Sequence, residues 1–306
     1  VLLDEQKVAY ALVMRAVEKA RSSNKKTAVI VKGGPGSGKS VIALSLLGEL
    51  SRLGYSTIHA SGARAFRNSM FQFFNSFMTT SSNSIDVLLA DEAHRIRETS
   101  NNRYTKRENR SKRHQVDELL DVARVPVFLL DQHQVVRPGE VGTAEYIQAR
   151  AEINGIDVEV VELEGQFRCG GSEAYEKWVL NLLQLSDSKV SQWHGDKNFE
   201  VQIAKSPEDL ESKLAKKNVE GFKGRMTAGF CWKWNEPNDG ENLPLDVKIG
   251  DWHKPWNLKT DKGIGGFLSG ELWAIDPKGF EQIGCVYTAQ GFEYDWNGVI
   301  FGPDLV

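Results

Sequence analysis

The sequence predicts an α/β protein built on parallel sheets with helices on both faces. Two observations carry that expectation. Short apolar runs bounded by turn residues recur at Ala28–Val31, Ser56–Ala60, Ile85–Ala90, Val125–Leu130 and Val158–Leu163. Between them lie segments of helical spacing, such as Ala63–Phe77, whose Phe66, Met70, Phe73, Phe74 and Phe77 share one stripe. Strands alternating with helices imply a parallel sheet buried on both sides, and the aromatic stripe reads as core rather than a ligand platform.

Taken in chain order, Leu2-Leu3-Asp4-Glu5-Gln6 opens an amphipathic helix with Asp4 as its N-cap. Thr27 to Val31 reads as a buried strand and Val41 to Leu50 as a helix. From Val158 the pattern restarts with a strand, then a helix over Ser172–Leu185, then a polar stretch bearing tryptophans. Further strands are expected at Arg225–Trp232, Glu271–Ile275, Gln282–Val286 and Gly298–Phe301. The chain's 306 residues suffice for two domains, expected at 1–157 and 158–306 with an irregular insertion over 235–270. Trp232 and Trp234, two apart on a strand, would face the same way and pack on a helix. Trp252 and Trp256 either stack on bases or anchor the insertion.

Composition narrows the class. With 41% hydrophobic and 26% charged residues the chain reads as globular, and a net charge of −3 excludes a uniformly basic binder but not a basic groove. Cys169, Cys231 and Cys285 are far apart with no CxxC pair, which argues against zinc or a disulfide framework and fits a reducing cytoplasm. No apolar run approaches the roughly 20 residues that span a membrane. The sequence starts at Val1 and stops at Val306 after a strand-like run, and is read as a piece of a longer protein.

The chemistry concentrates in a few runs. Gly33-Gly34-Pro35-Gly36-Ser37-Gly38-Lys39-Ser40 fits G-x-x-x-x-G-K-[ST] between a strand and a helix. Such a loop turns its N–H groups onto phosphate oxygens at a helix N-terminus. Lys39 would reach the β and γ phosphates and Ser40 would ligate Mg²⁺; the plain alternative is a Gly-rich turn with a solvated lysine. Asp91 and Glu92 end an apolar strand, where Asp91 would hold Mg²⁺ and Glu92 polarise the attacking water. His94 beside them would contact a neighbouring polar group. Asp131 to Gln134 repeats the device on the next strand, with Gln134 a candidate γ-phosphate sensor and Asp131 otherwise a turn cap. Arg168, in Glu164–Arg168, would neutralise charge on the γ phosphate. In Val286–Glu293, Gly291 permits a tight turn, Thr288 and Gln290 offer hydrogen bonds and Glu293 would accept one from a ribose hydroxyl. Gln6 would read the adenine edge.

In this order Gln6, the loop ending Gly38-Lys39-Ser40, Asp91-Glu92, Asp131 to Gln134, Gln166-Phe167-Arg168 and Thr288 to Glu293 resemble the motifs of superfamily 1 helicases. The wording of Asp91–Ile96, Asp131–Thr143, Glu164–Val179, Gly229–Trp234 and Tyr287–Leu305 is closer still to the Schlafen-group-3-like DNA/RNA helicase domain family. The resemblance spans nearly the whole chain. It implies two RecA-like P-loop domains with ATP between them, and the site roles above. Two departures from the family pattern stand out: the last helicase motif, which brings a second arginine, is absent from the sequence, read as ending before it, and no clear accessory domains are seen. The resemblance therefore implies ATP hydrolysis ahead of strand separation.

Single-stranded DNA or RNA is the expected partner. Arg95 to Arg113 holds eight cations (Arg95, Arg97, Arg103, Lys106, Arg107, Arg110, Lys112, Arg113) against Glu98 and Glu108. Such a loop would track phosphates, with Tyr104 stacking on a base; a solvated loop without a partner is the alternative. Ser61, Arg64 and Arg67 follow the strand at 56–60, and with Thr288 complete the candidate strand contacts. A fused or associated nuclease domain outside this chain stays open. Two other classes stay open as well, an ATP-gated binding module and a P-loop kinase. The absence of an Asn-Lys-x-Asp run favours ATP over GTP.

Overall fold

A computed structural model of the chain describes residues 2, 4–23, 25–61, 72–101, 105–135, 138–163, 169–186, 188–237, 242–259, 263–267, 269–289 and 292–302. The chain divides into two compact units, Val1–Val201 and Gln202–Val306.

The first unit begins with α1 (Asp4–Ser23), followed by β1 (Thr27–Gly33), α2 (Lys39–Arg52), β2 (Thr57–Ser61), the two-residue β3 (Gln72–Phe73), β4 (Ile85–Asp91), α3 (Gln115–Val122), β5 (Ala123–Leu130), α4 (Ala144–Ile153), β6 (Asp157–Leu163) and α5 (Glu173–Leu182). The six strands form one sheet in the order β3-β2-β4-β5-β1-β6, and every pairing is parallel. Successive strand side chains point to opposite faces, so each central strand feeds two cores. Val29, Val31, Val87, Leu89, Val127 and Leu129 pack with the inner faces of α1 and α2. Ala28, Ile30, Leu88, Ala90, Phe128 and Leu130 pack with α3 and α4. The edge strand β6 carries charge instead: Asp157 and Glu159 pair with Lys19 and Arg15 of α1, a device that discourages edge-to-edge association.

The α/β class predicted from the sequence is therefore present, while several local expectations are corrected. The domain boundary does not fall at 157/158, because β6 pairs along its whole length with β1, from Thr27 opposite Asp157 to Gly33 opposite Leu163. The helix expected over 63–77 is not continuous: residues 62–71 lie outside the described residues, 72–73 form β3, and 74–77 form a single 3₁₀ turn. Phe74 and Phe77 still reach the core, so hydrophobicity survived where periodicity misled. Asp4 sits within α1 and pairs with Lys7 rather than capping the helix.

The second unit contains α6 (Pro207–Val219), β7 (Gly224–Ala228), the hairpin β8 (Val247–Ile249) and β9 (Trp252–Lys254), β10 (Gly284–Cys285), α7 (Val286–Ala289) and β11 (Trp296–Ile300). Its sheet, β10-β7-β11, is parallel. Gly270–Leu272 forms a 3₁₀ turn in place of the strand expected at 271–275. Strand β7 stops at Ala228, so Trp232 and Trp234 are not strand neighbours; both pack, half-buried, on the core around Trp256. Trp252 and Trp256 are buried anchors: Trp256 stacks on Trp234 and donates to Lys233 O, while Trp252 donates to Glu211. Buried Arg225 is satisfied by the carbonyls of Gly224, Trp273 and Asp276, as a desolvated cation requires. Among the described residues no helix is long and apolar enough to cross a membrane.

Two glycines separate close approach from mere tolerance. A Cβ on Gly142 would lie 2.0 Å from the carbonyl oxygen of Ala93, whereas one on Gly48 of α2 would meet nothing within 4 Å. Gly142→Ala is expected to cost about 1–3 kcal/mol by overpacking. Gly48→Ala is expected to add about 0.5–1 kcal/mol by removing helix entropy loss. Urea denaturation midpoints of the two variants read both effects.

Candidate active site

The parallel register brings the carboxyl ends of the strands to one edge. Ser61 pairs with Asp91 and Gly33 with Leu163, while Lys32 of β1 faces Leu130 of β5. Ligands of open α/β sheets bind beyond this edge.

After β1 the backbone curls through Gly36 and Gly38, both left-handed at φ 82° and 85°. Gly38 meets two requirements at once, since a Cβ there would also lie 2.2 Å from the Gln6 amide nitrogen. Buried Gln6 donates to Ser37 O at 3.3 Å and so braces the loop from α1. Ser37 is itself buried and donates to Gly34 O. The N-cap of α2 is Gly38, which has no side chain to cap it, and the first turn carries no acid to offset the positive end of the helix dipole. Lys39 Nζ lies across the loop, donating to Gly33 O at 2.8 Å and Gly34 O at 2.7 Å.

Ser40 Oγ donates to Asp91 Oδ2 at 3.1 Å, joining the start of α2 to the end of β4. The other Asp91 oxygen accepts from the Glu92 N–H at 2.9 Å, and His59 Nε2 of β2 lies 3.5 Å from Oδ2. Glu92 is left-handed at φ 55° without being glycine, a conformation that costs energy and clusters at functional sites. Its Oε2 lies 3.1 Å from His94 Nε2 and 3.6 Å from Arg95 Nε. Burial raises the pKa of Glu92, but the close approach of His94 and the charges of Arg95 and Lys39 together outweigh it and hold the carboxyl below its ordinary value. Glu92 is thus ionised at neutral pH.

At the end of β5, Asp131 caps the next turn by accepting from His133 N–H, and its second oxygen accepts from the Gln134 amide at 2.9 Å. The turn-cap alternative for Asp131 is realised, yet Gln134 is held rather than solvated. A neighbouring surface is basic: Arg97, Lys106, Arg107, Arg110, Lys112 and Arg113 are exposed. This loop is clipped at its base, where Ser100 and Ser111 both donate to buried Glu118 of α3 and Asn101 bonds the Ser111 backbone.

The structure therefore gathers Gln6, the 33–40 loop, Asp91 and Glu92 at one edge, with Asp131 and Gln134 at the end of the adjoining strand. Ser61 is buried beside Asp91. Thr288 and Glu293 belong to the second unit, where Thr288 Oγ1 lies 3.4 Å from Cys285 Sγ and Glu293 is exposed. Arg64, Arg67, Arg103, Tyr104, Arg168, Gln290 and Gly291 lie outside the described residues. Sequence reasoning missed His59 and the Glu118 clip, and it placed Arg95 in the basic loop, whereas Arg95 is buried beside Glu92. A histidine inside an apolar strand was a signal for the first; nothing local marked the clip, which depends on pairing across 18 residues. Among the described residues no three His, Cys, Asp or Glu form a metal cluster.

The family model described as Schlafen group 3, DNA/RNA helicase domain, matches residues 26–306. The chain belongs to that family. No curated protein matches it. Among solved structures, Pif1 helicase from Candida albicans is 14% identical with a TM-score of 0.41, covering 74% of this chain and 51% of its own. A DNA replication initiation factor is 16% identical with a TM-score of 0.32, covering 72% and 63%. AMPPCP-bound DnaA from Aquifex aeolicus is 16% identical with a TM-score of 0.31, covering 72% and 64%. The chain thus spans 51 to 64% of the length of these structures.

The double requirement at Gly38 yields a test. Gly38→Ala is expected to abolish binding of a fluorescent ATP analogue, while circular dichroism shows the helical content retained.

Proposed function

We propose that this chain is an ATP-hydrolysing motor of the superfamily 1 helicase type acting on single-stranded DNA or RNA. The observation that carries the reading is the 3.1 Å bond from Ser40 to Asp91 across the phosphate loop, with Glu92 next in the chain. A hydroxyl and a carboxylate so placed are the two protein ligands a phosphate-bound Mg²⁺ uses. When bound, Mg²⁺ would neutralise charge on the β and γ phosphates. The donor set fits that ion, because the nucleotide's own oxygens and water complete an octahedron around few protein ligands.

The chain's own groups supply the rest. Lys39 and the loop N–H groups bind phosphate, and Gln6 is assigned the adenine edge by family membership. Glu92, ionised and 29% exposed, accepts a proton from the attacking water. Gln134 senses the γ phosphate from the end of β5. Arg168 stabilises the transferring group, Gln290, Gly291 and Glu293 hold the ribose side, and Thr288 contacts the strand; these roles rest on family membership. The exposed cations at 97–113, with Arg64, Arg67 and Arg103, would bind the nucleic-acid backbone and Tyr104 would stack on a base, while Ser61, buried beside Asp91, is left out of the interface. Three free cysteines fit a reducing cytoplasm.

Phosphate release from ATP, measured with and without single-stranded DNA and RNA, tests the reading. Stimulation by one polymer is expected, and Glu92→Gln should lower kcat by at least about 100-fold while ATP still binds. Hydrolysis indifferent to both polymers would favour an ATP-gated binding module. Replacing Lys106, Arg107, Arg110 and Lys112 together by Ala should weaken polymer binding and flatten its salt dependence by about 0.7 in log–log slope for each phosphate no longer neutralised. An unchanged slope would remove this loop from the interface.

A further inference from the structure

His94 is buried at 1% exposure, and the hydrolytic scheme above does not use it. Its two ring nitrogens face the ends of two different strands. Nδ1 lies 3.4 Å from the Asp131 N–H at the end of β5 and accepts from it. A nitrogen that accepts carries no proton, so in the neutral ring the proton sits on Nε2. Nε2 lies 3.1 Å from Glu92 Oε2 but too far off line for a hydrogen bond, so this buried nitrogen has no hydrogen-bond partner here. Hydrogen bonds at catalytic groups are commonly loose before substrate arrives and tighten on binding. Arg95 adds charge on the same oxygen from 3.6 Å. Both contacts fall on Oε2, which leaves Oε1 able to accept from water.

Local backbone supports the same reading. Glu92 occupies a left-handed conformation, and the turn that follows it is packed against Gly142 so tightly that no Cβ fits there. The turn therefore delivers His94 inward between β4 and β5. Asp131, whose N–H meets His94, holds the Gln134 amide through its carboxylate.

We propose that His94 is a positioning residue that orients the Glu92 carboxylate and ties it to the Asp131–Gln134 turn. The chain Glu92–His94–Asp131–Gln134 makes the placement of the base depend on the turn that carries the sensor. The inference rests on the ATPase reading above, and it adds a role for a residue which that reading leaves unused.

Two substitutions separate the Asp131 hydrogen bond from the Glu92 contact. The amide of His94→Asn can accept from Asp131 but is too short to reach Glu92. The amide of His94→Gln can reach Glu92 from the position Nε2 occupies. Both are made in the full chain and compared with wild type and Glu92→Gln for kcat, KM for ATP, ATP affinity and Tm. His94→Asn is expected to lower kcat by about 10- to 100-fold, the range for groups that orient another functional ligand, with KM and Tm near wild type. His94→Gln is expected to restore most of that rate. Wild-type kcat in His94→Asn would overturn the proposal. So would equal losses in both variants accompanied by lower Tm and weaker ATP binding, which would make His94 a core residue only. Should Glu92→Gln hydrolyse ATP at the wild-type rate, or wild type hydrolyse none, the ATPase reading fails first and this inference with it.

Discussion

Parallel strands held in step govern everything else in the first unit. Because β1, β4 and β5 are paired through their buried centres, from Val29 opposite Val127 to Leu89 opposite Val127, their ends emerge at one level. Slipping any one strand by a residue would turn its apolar set to the wrong face. The two cores on either side of the sheet fix the register, and the register fixes where Gly33, Asp91 and Asp131 leave it. Three short polar runs far apart in sequence thereby become one edge.

At that edge the chain places polar groups that a core could not accommodate without partners. Asp91 is engaged by Ser40, the Glu92 N–H and His59; Asp131 by His133 and Gln134. Buried carboxylates require such satisfaction, and it makes the geometry stiff. The left-handed Glu92 is the exception to local ease at this edge, and it turns the chain out of its strand directly after Asp91. The basic loop is handled the opposite way: its cations are left exposed while its base is clipped to buried Glu118.

How much of this was legible in the sequence varies with the range of the interaction. The phosphate loop and the Asp91-Glu92 strand end are local patterns, since left-handed glycines and an apolar strand announce themselves within ten residues. The five main strands were readable for the same reason. The segment at 74–77 was not, because Phe74 and Phe77 satisfy a helical stripe and a 3₁₀ turn equally well. The boundary at 157/158 failed because β6 looks like the opening of a new unit, and only its pairing with β1 tells otherwise. Trp232 and Trp234 misled because strand β7 ends at Ala228, a limit with no Gly-Pro punctuation beyond Gly229. The bonds of His94 and Glu118 span strands and loops, and no spacing rule foretells them.

The central claim is that the 33–40 loop and Asp91 together form a Mg²⁺-dependent ATP site. Calorimetric titration of the chain with ATP, first with Mg²⁺ and then with the ion chelated, tests it most directly. The account predicts one site per chain whose affinity falls sharply when Mg²⁺ is removed, and falls likewise in Asp91→Asn with Mg²⁺ present. ATP binding that ignores both the ion and Asp91, or no binding at all, would contradict it.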